Sequence, residues 1–349
     1  ELIPNYRHLP SVLVHGTADW IMPMEQSYRM MELLDEAGFE SRMVELPNAT
    51  HGSWTDMLMA PDVAKSLNQW TRAEAPEHVT FRTWTTKYDG AYWVEISGLE
   101  SWAHKAEIDA RYEADAVTIT TDNVTGLRLR KPSGRWAQGT EIIVNWNGRE
   151  LTTSVDETGR VSVGRMRPAA GLWKEKGLCG PIREAFADRF VFVYGGEKGG
   201  ESYRKTIVAA TDWLRFAKGM PDVMSAEKVT PELMKEANLV LYGTPENNPL
   251  IAEIAPELPV TIQAGEYVVG EERYAASEFG FSVIYPNPRA PENYVVINSG
   301  PVWGKGLSSN HKYDMLPDFI VFTEGVDQDG TESNTAVAAG FFNQEWKFD

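Results

Sequence analysis

The chain has one cysteine in 349 residues, Cys179. An intramolecular disulfide is therefore excluded, and the fold has to be held by apolar burial and hydrogen bonds. No run approaches about eighteen consecutive apolar residues, which argues against a membrane-spanning helix. No cluster of lysines and arginines is present. With 33 basic and 50 acidic residues the formal net charge is −17, which repels a phosphate backbone and argues against nucleic acid as a partner. The opening "ELIPNYRHLP" lacks the basic and apolar regions of a signal peptide, and it lacks an initiator methionine. The expectation is a processed or truncated product whose targeting signal lay upstream.

What is present reads as globular material, 42% hydrophobic and 24% charged, of a length that suits two or three domains. Over residues 1–75 strand and helix signals alternate. "SVLVH" (11–15) is a short apolar run suited to a buried parallel strand. "PMEQSYRMMELLDEAG" (23–38) follows as a helix, with Pro23 near its first turn, Gly38 past its end, and Tyr28, Met31, Leu34 and Ala37 as its buried stripe. "SRMVELP" (41–47) is the next strand and "PDVAKSLNQWTR" (61–72) the next helix. Two strands cannot close a core alone.

Over residues 76–168 the period drops to two. "AYWVEI", "AVTITTDNV" and "EIIVNWNG" read as short strands of an all-β sandwich, with "NWNGRE" as a hairpin turn. Residues 169–349 return to alternation. "RFVFVYGG" and "ANLVLYGTP" are buried strands ending in glycine, "SYRKTIVAATDWLRFAKG" is a helix closed by Gly219, and "FSVIYPNP" and "NYVVINSG" are further strands. That order predicts an open, mostly parallel α/β domain with a crevice at the carboxyl ends of its strands. Twelve tryptophans and thirteen tyrosines read first as core and interface packing.

The chemistry is concentrated near the front. Asp19 follows "SVLVH" with three residues between, in the loop "GTAD", and His51 follows "SRMVELP" in the same way, in "NATHG". Two neighbouring parallel strands would deliver this carboxylate and this imidazole to one edge. A carboxylate bonded to an imidazole N–H fixes the tautomer and stabilises the imidazolium, as a general base for a hydroxyl nucleophile requires. Each residue also has a plainer role open to it: Asp19 as a cap for the helix near Pro23, His51 as a loop residue satisfied by backbone.

"HGTADWIMP" (15–23) and "THG" (50–52) resemble the acid and base loops at the C-terminal end of the catalytic domain of prolyl-oligopeptidase-like serine hydrolases. His15, Gly16, Asp19 and Pro23 match the first loop, with Met22 where valine is usual, and His51 and Gly52 match the second. The resemblance implies Asp19 as the triad acid, His51 as the base, and a peptide or ester substrate. It also implies a nucleophilic serine earlier in the chain, since the order in these enzymes is serine, acid, histidine. No G-x-S-x-G occurs in the 349 residues and only 18 precede Asp19. The nucleophile is therefore expected on an upstream catalytic segment that acts as a partner.

The later stretches are similar to C-terminal extensions of secreted bacterial members of this group, which implies an extracellular or periplasmic location. The fold class expected is thus α/β with an all-β domain: a partial α/β-hydrolase sheet over 1–75, a β-sandwich over 76–168, and the α/β domain over 169–349. A non-catalytic alternative makes the chain an accessory or assembly module that binds a glycan, a partner or further copies of itself.

Other residues carry weaker signals. His15 is expected to pack under the acid loop. His8, His78, His104 and His311 lack i, i+4 pairing and nearby cysteine, so no metal site and no cofactor are expected. Cys179 in "GLCGP" reads as a structural thiol. Ser299, after a strand, could face the crevice of the last domain, and "YGGEKGGES" (194–202) lacks the spacing of a phosphate loop, although Lys198 could bind an anion.

Overall fold

The computed structural model describes residues 1–52, 63, 65, 67–113, 116–263, 265–305, 307, 314, 316–326 and 328–348. The helix expected over 61–72 falls partly outside them, with Val63, Lys65 and Leu67 helical. The chain divides into two compact units, Glu1–Arg167 and Pro168–Asp349.

The first unit opens with a 3₁₀ turn, Ile3–Tyr6, then strand β1 (Ser11–Gly16), helix α1 (Met24–Glu36) and strand β2 (Ser41–Leu46). β1 and β2 pair in parallel, from Ser11 opposite Ser41 to Gly16 opposite Leu46. Helix α1 ends in a two-bond C-terminal lock. Gly38 is left-handed at φ +70°, its N–H donates to the Asp35 carbonyl at 2.8 Å, and the Phe39 N–H donates to the Leu34 carbonyl at 2.9 Å. The expected buried stripe of α1 needs correction. Leu34 is fully buried, whereas Tyr28 and Ala37 are exposed. The inward face runs through Ser27, Met30, Met31 and Leu34, following the i, i+3, i+4 rows.

Two β-sheets fill the rest of this unit. The strands are β3 (His78–Thr83), β4 (Gly90–Ala91), β5 (Val94–Leu99), β6 (Ala106–Glu113), β7 (Ala116–Asp122), β8 (Val124–Arg130), β9 (Glu141–Trp146), β10 (Arg149–Ser154) and β11 (Arg160–Gly164). One sheet has the order β10-β9-β7-β6-β3 and the other β11-β8-β5-β4. Period-two burial is clear in both. Val79, Phe81 and Thr83 are inward on β3, Val117 and Ile119 on β7, Leu127 and Leu129 on β8. Asn147 (φ 51°) and Gly148 (φ 78°) form the two-residue hairpin between β9 and β10, because both positions need a left-handed backbone. In "RTWTTKYDGAYWVEI" the aromatics divide between core and surface. Trp93 is buried and donates its Nε1–H to the Pro76 carbonyl at 2.8 Å, whereas Tyr88 is exposed.

The boundary expected at 75/76 lies inside this compact unit. Asn5 acts as a short strand substitute at the β3 edge, donating from Nδ2 to the Arg82 carbonyl at 2.9 Å and accepting from the Arg82 N–H at 2.6 Å. Thr80 adds a hydroxyl bond to the Pro4 carbonyl at 2.6 Å.

The second unit contains β12 (Phe190–Tyr194), α2 (Glu201–Ala217), β13 (Asp222–Ser225), α3 (Pro231–Glu236), β14 (Asn238–Tyr242) and α4 (Pro249–Ile254). A small antiparallel sheet follows, of β15 (Thr261–Gln263), β16 (Glu266–Val269) and β17 (Glu272–Ala275). The chain ends with β18 (Phe279–Asn287), β19 (Ala290–Ser299), β20 (Phe319–Val326) and β21 (Glu332–Gly340). The main sheet runs β13-β12-β14-β19-β18-β20-β21. β13, β12, β14 and β19 are mutually parallel, and β18, β20 and β21 join by antiparallel pairing. The sheet is therefore mixed, not mostly parallel. The reason is connection length: two residues separate β18 from β19, and a parallel return requires about a dozen.

All five residues of β14 and the centre of β12 are buried, as expected for strands covered on both faces. Helix α2 ends one position earlier than expected. Lys218, not Gly219, adopts the left-handed cap at φ 59° and bonds back to the Leu214 carbonyl.

Candidate active site

The geometry at the front of the chain starts from Gly16, the last residue of β1. A Cβ there would overlap the Ala49 carbonyl oxygen, so glycine lets the loops after β1 and β2 close on each other. Three hydrogen bonds then tie the loops together. The Thr17 N–H donates to the Leu46 carbonyl at 3.0 Å, the Ala18 N–H to the Ala49 carbonyl at 3.0 Å, and the Asn48 N–H to Thr17 Oγ1 at 2.8 Å. Asn48 takes a left-handed φ of 59°, which turns the second loop back toward the first.

This frame brings Asp19 and His51 together. His51 Nδ1 lies 3.0 Å from Asp19 Oδ2. The other carboxylate oxygen, Oδ1, accepts from the Ile21 N–H at 3.0 Å and the Met22 N–H at 2.9 Å. The two oxygens thus divide the work: one is fixed by backbone and one faces the imidazole. The helix-capping alternative is not what the structure shows, since Pro23 caps α1 without a side-chain bond. The Met22 amide, followed by His51 and the Ile21 amide, holds the Asp19 carboxyl below the ordinary carboxylate range, with burial acting in the opposite sense.

An ionised Asp19 accepts, so His51 Nδ1 carries the donated proton and Nε2 keeps its lone pair. The Asp19 side chain is 8% exposed and the His51 side chain 49%. The carboxylate is shielded while the imidazole stays accessible. Such a pair can take a proton at Nε2 and hold the resulting imidazolium against the carboxylate.

His15 supports the acid loop, as expected. Its Nε2–H donates to the Met22 carbonyl at 2.8 Å and its Nδ1 meets the Ser27 hydroxyl at 2.7 Å, so the ring joins the loop to the first turn of α1. Its Nε2 is 3.6 Å from Asp19 Oδ2, beyond good hydrogen-bond range. Ser27, the Met22 amide and the Gly16–Ala49 apposition also carry this site, and no motif in the sequence marks them. The available signal was Gly16 at a strand end next to two short loops.

The remaining candidates do not converge on this pair. Ser299 is fully buried and accepts a hydrogen bond from the Tyr267 hydroxyl at 3.0 Å, so it does not face a crevice. The strand ends near it are filled: Ser202 Oγ accepts from the Gly195 N–H at 2.9 Å and donates to the Tyr242 carbonyl at 2.7 Å, and Asn248 Nδ2 donates to the same carbonyl at 3.0 Å. Lys198 is exposed on the loop before α2. Cys179 is buried, with Sγ 2.9 Å from Glu184 Oε2. His8 contacts the His78 carbonyl, His78 contacts Asp109 and His104 contacts the Trp102 carbonyl, while His311 lies outside the described residues. Among the described residues no three His, Cys, Asp or Glu side chains gather as a metal site. A cavity of about 540 Å³ in the first unit, lined by Arg72, Tyr92, Trp93, Arg130 and Lys131 among others, shares no lining residue with the Asp19 and His51 loops.

No protein-family model matches the chain. An "Uncharacterized secreted protein" of Arthroderma benhamiae is 22% identical over 386 aligned residues, which cover 99% of this chain and 40% of that protein. The chain therefore spans well under half the length of the relative it matches.

Proposed function

We propose that this chain is the C-terminal part of a serine hydrolase resembling the prolyl-oligopeptidase group, and that it supplies the acid and the base of a Ser-His-Asp triad. The observation that carries the reading is the 3.0 Å contact between His51 Nδ1 and Asp19 Oδ2, with Oδ1 fixed by two backbone amides. Asp19 orients the imidazole. His51 Nε2 takes the proton of a serine hydroxyl and returns it to the leaving group of a peptide or ester. The serine and its oxyanion hole belong to an upstream segment.

Trp20, Ile21 and Met22 are exposed on the loop that carries Asp19 and favour this division, because consecutive exposed apolar residues beside an accessible base suit coverage by further protein. The relative's length, well beyond the matched portion, supports a longer protein, and its name as a secreted protein supports an extracellular location. The test is fluorophosphonate labelling. Labelling is expected when an upstream segment is present and absent with this chain alone. His51→Ala in the longer protein should lower turnover by several orders of magnitude, and near-normal turnover would refute the assignment.

A further inference from the structure

The second unit holds a buried charged cluster that the hydrolase reading does not use. Lys174 and Asp318, 144 positions apart, are both 0% exposed, and Lys174 Nζ is in direct contact with Asp318 Oδ2. Their backbones are fixed. The Lys174 N–H donates to the Gln344 carbonyl at 2.8 Å, and Gln344 Nε2 donates back to the Lys174 carbonyl at 3.2 Å. The Asp318 N–H donates to the Gly340 carbonyl at 2.9 Å, and its carbonyl accepts from the Ile284 N–H at 2.8 Å.

The surroundings are aromatic. The Trp346 ring centre lies 4.7 Å from Lys174 Nζ, and the rings of Tyr285, Tyr294 and Phe342 stand 5.7, 6.1 and 6.3 Å from that of Trp346. Asp318 Oδ2 also accepts from the Phe342 N–H at 3.0 Å. Asp318 Oδ1 is buried without a hydrogen-bond partner among the described residues. It faces Gly180, where a side chain would collide with it. Buried Glu184, on the 3₁₀ turn Ile182–Phe186, is close enough for its charge to act on Asp318.

An ion pair is costly in such a place, since both charges leave water and one carboxylate oxygen gains no partner. Burial pushes the Lys174 ammonium down and the Asp318 carboxyl up, against the attraction between them. Transfer of one proton relieves both. It leaves a neutral amine against a neutral carboxylic acid, the forms from which an amide can be made.

We propose that Lys174 and Asp318 condense into an intramolecular isopeptide bond. The Nζ lone pair attacks Asp318 Cγ and the new C–N bond forms. Oδ2, held by the Phe342 N–H, takes the negative charge of the tetrahedral intermediate and becomes the amide oxygen. The proton that Lys174 gave up is carried on Oδ1, and a second passes to Oδ1 from the attacking nitrogen. The C–Oδ1 bond then breaks and one water leaves. No oxidant, cofactor or second substrate is consumed. The bond closes a large ring between the segment that enters the unit and the residue before strand β20, a covalent tie that one cysteine cannot supply.

Intact-mass spectrometry of the denatured wild-type chain tests this, independently of any hydrolase activity. The expected mass is lower than the sequence mass by one water, and a tryptic digest should yield one branched peptide joining the segments around residues 174 and 318. A mass equal to that of the sequence, with the two segments in separate linear peptides, would overturn the proposal and leave a buried ion pair.

Discussion

Gly16 lies flush against Ala49, with no space between its Cα and the Ala49 carbonyl for a side chain. Because the clash is with backbone, relief requires one loop to move, and those loops carry Asp19 and His51. Gly16→Ala should therefore cost about 1–3 kcal/mol in the first unit and separate the pair. Urea denaturation reads the first effect. The second appears as a changed His51 ring signal in NMR, and an unchanged spectrum would mean that the loops are not held together at this point.

Asp19→Asn separates charge from shape. The amide can keep the Ile21 and Met22 hydrogen bonds through its oxygen, but it presents an NH₂ group to His51 Nδ1 where an acceptor stood. The ring then favours the tautomer with Nδ1 as acceptor and loses the carboxylate that stabilises its charged form. Nitrogen-15 NMR of the ring should show that change of tautomer. In a complete enzyme, turnover should drop by about four orders of magnitude, the scale seen when a triad histidine is held in the wrong tautomer.

Acid should dissolve the pair late. The Asp19 carboxyl titrates below its unfolded value of about 3.9, chiefly because the Met22 amide bonds its ionised form. A group shifted downward gives its stabilisation fully above the unfolded value and loses it as pH falls through the folded one. Carbon-detected NMR of the side-chain carboxyl should place the Asp19 midpoint below the ordinary carboxylate range. A midpoint at or above that range would remove the electrostatic basis of the site.

How much of this was legible beforehand differs by element. Asp19 and His51 could be paired from sequence because each follows a short apolar run by the same interval, and parallel strands carry such loops to one edge. The Asn147-Gly148 hairpin was legible for a similar reason, since few residues tolerate its backbone. Burial on α1 was harder. Tyr28 and Ala37 fit an apolar period, but which face turns inward is fixed by contacts with β1 and β2 that the helix sequence does not encode. The mixed sheet of the second unit was missed although the gap between β18 and β19 is too short for a crossover. Lys174 and Asp318 could not be paired by any local rule, since only the folded sheet brings positions 144 apart into contact.

The corrected face of α1 can be tested by two substitutions with opposite expectations. Leu34 is fully buried and its carbonyl holds the helix terminus through Phe39, so Leu34→Ala removes apolar contact and leaves a cavity beneath the β1 and β2 layer. The expected loss is about 2–5 kcal/mol, read as a lower urea midpoint. Tyr28 fits the same apolar period in sequence, yet it is 48% exposed and its hydroxyl meets Glu45 Oε1 at 2.9 Å on the surface. Tyr28→Phe should change stability by less than about 0.5 kcal/mol. Equal losses from the two variants would restore the stripe through Tyr28, and with it a different orientation of the helix that anchors His15 through Ser27.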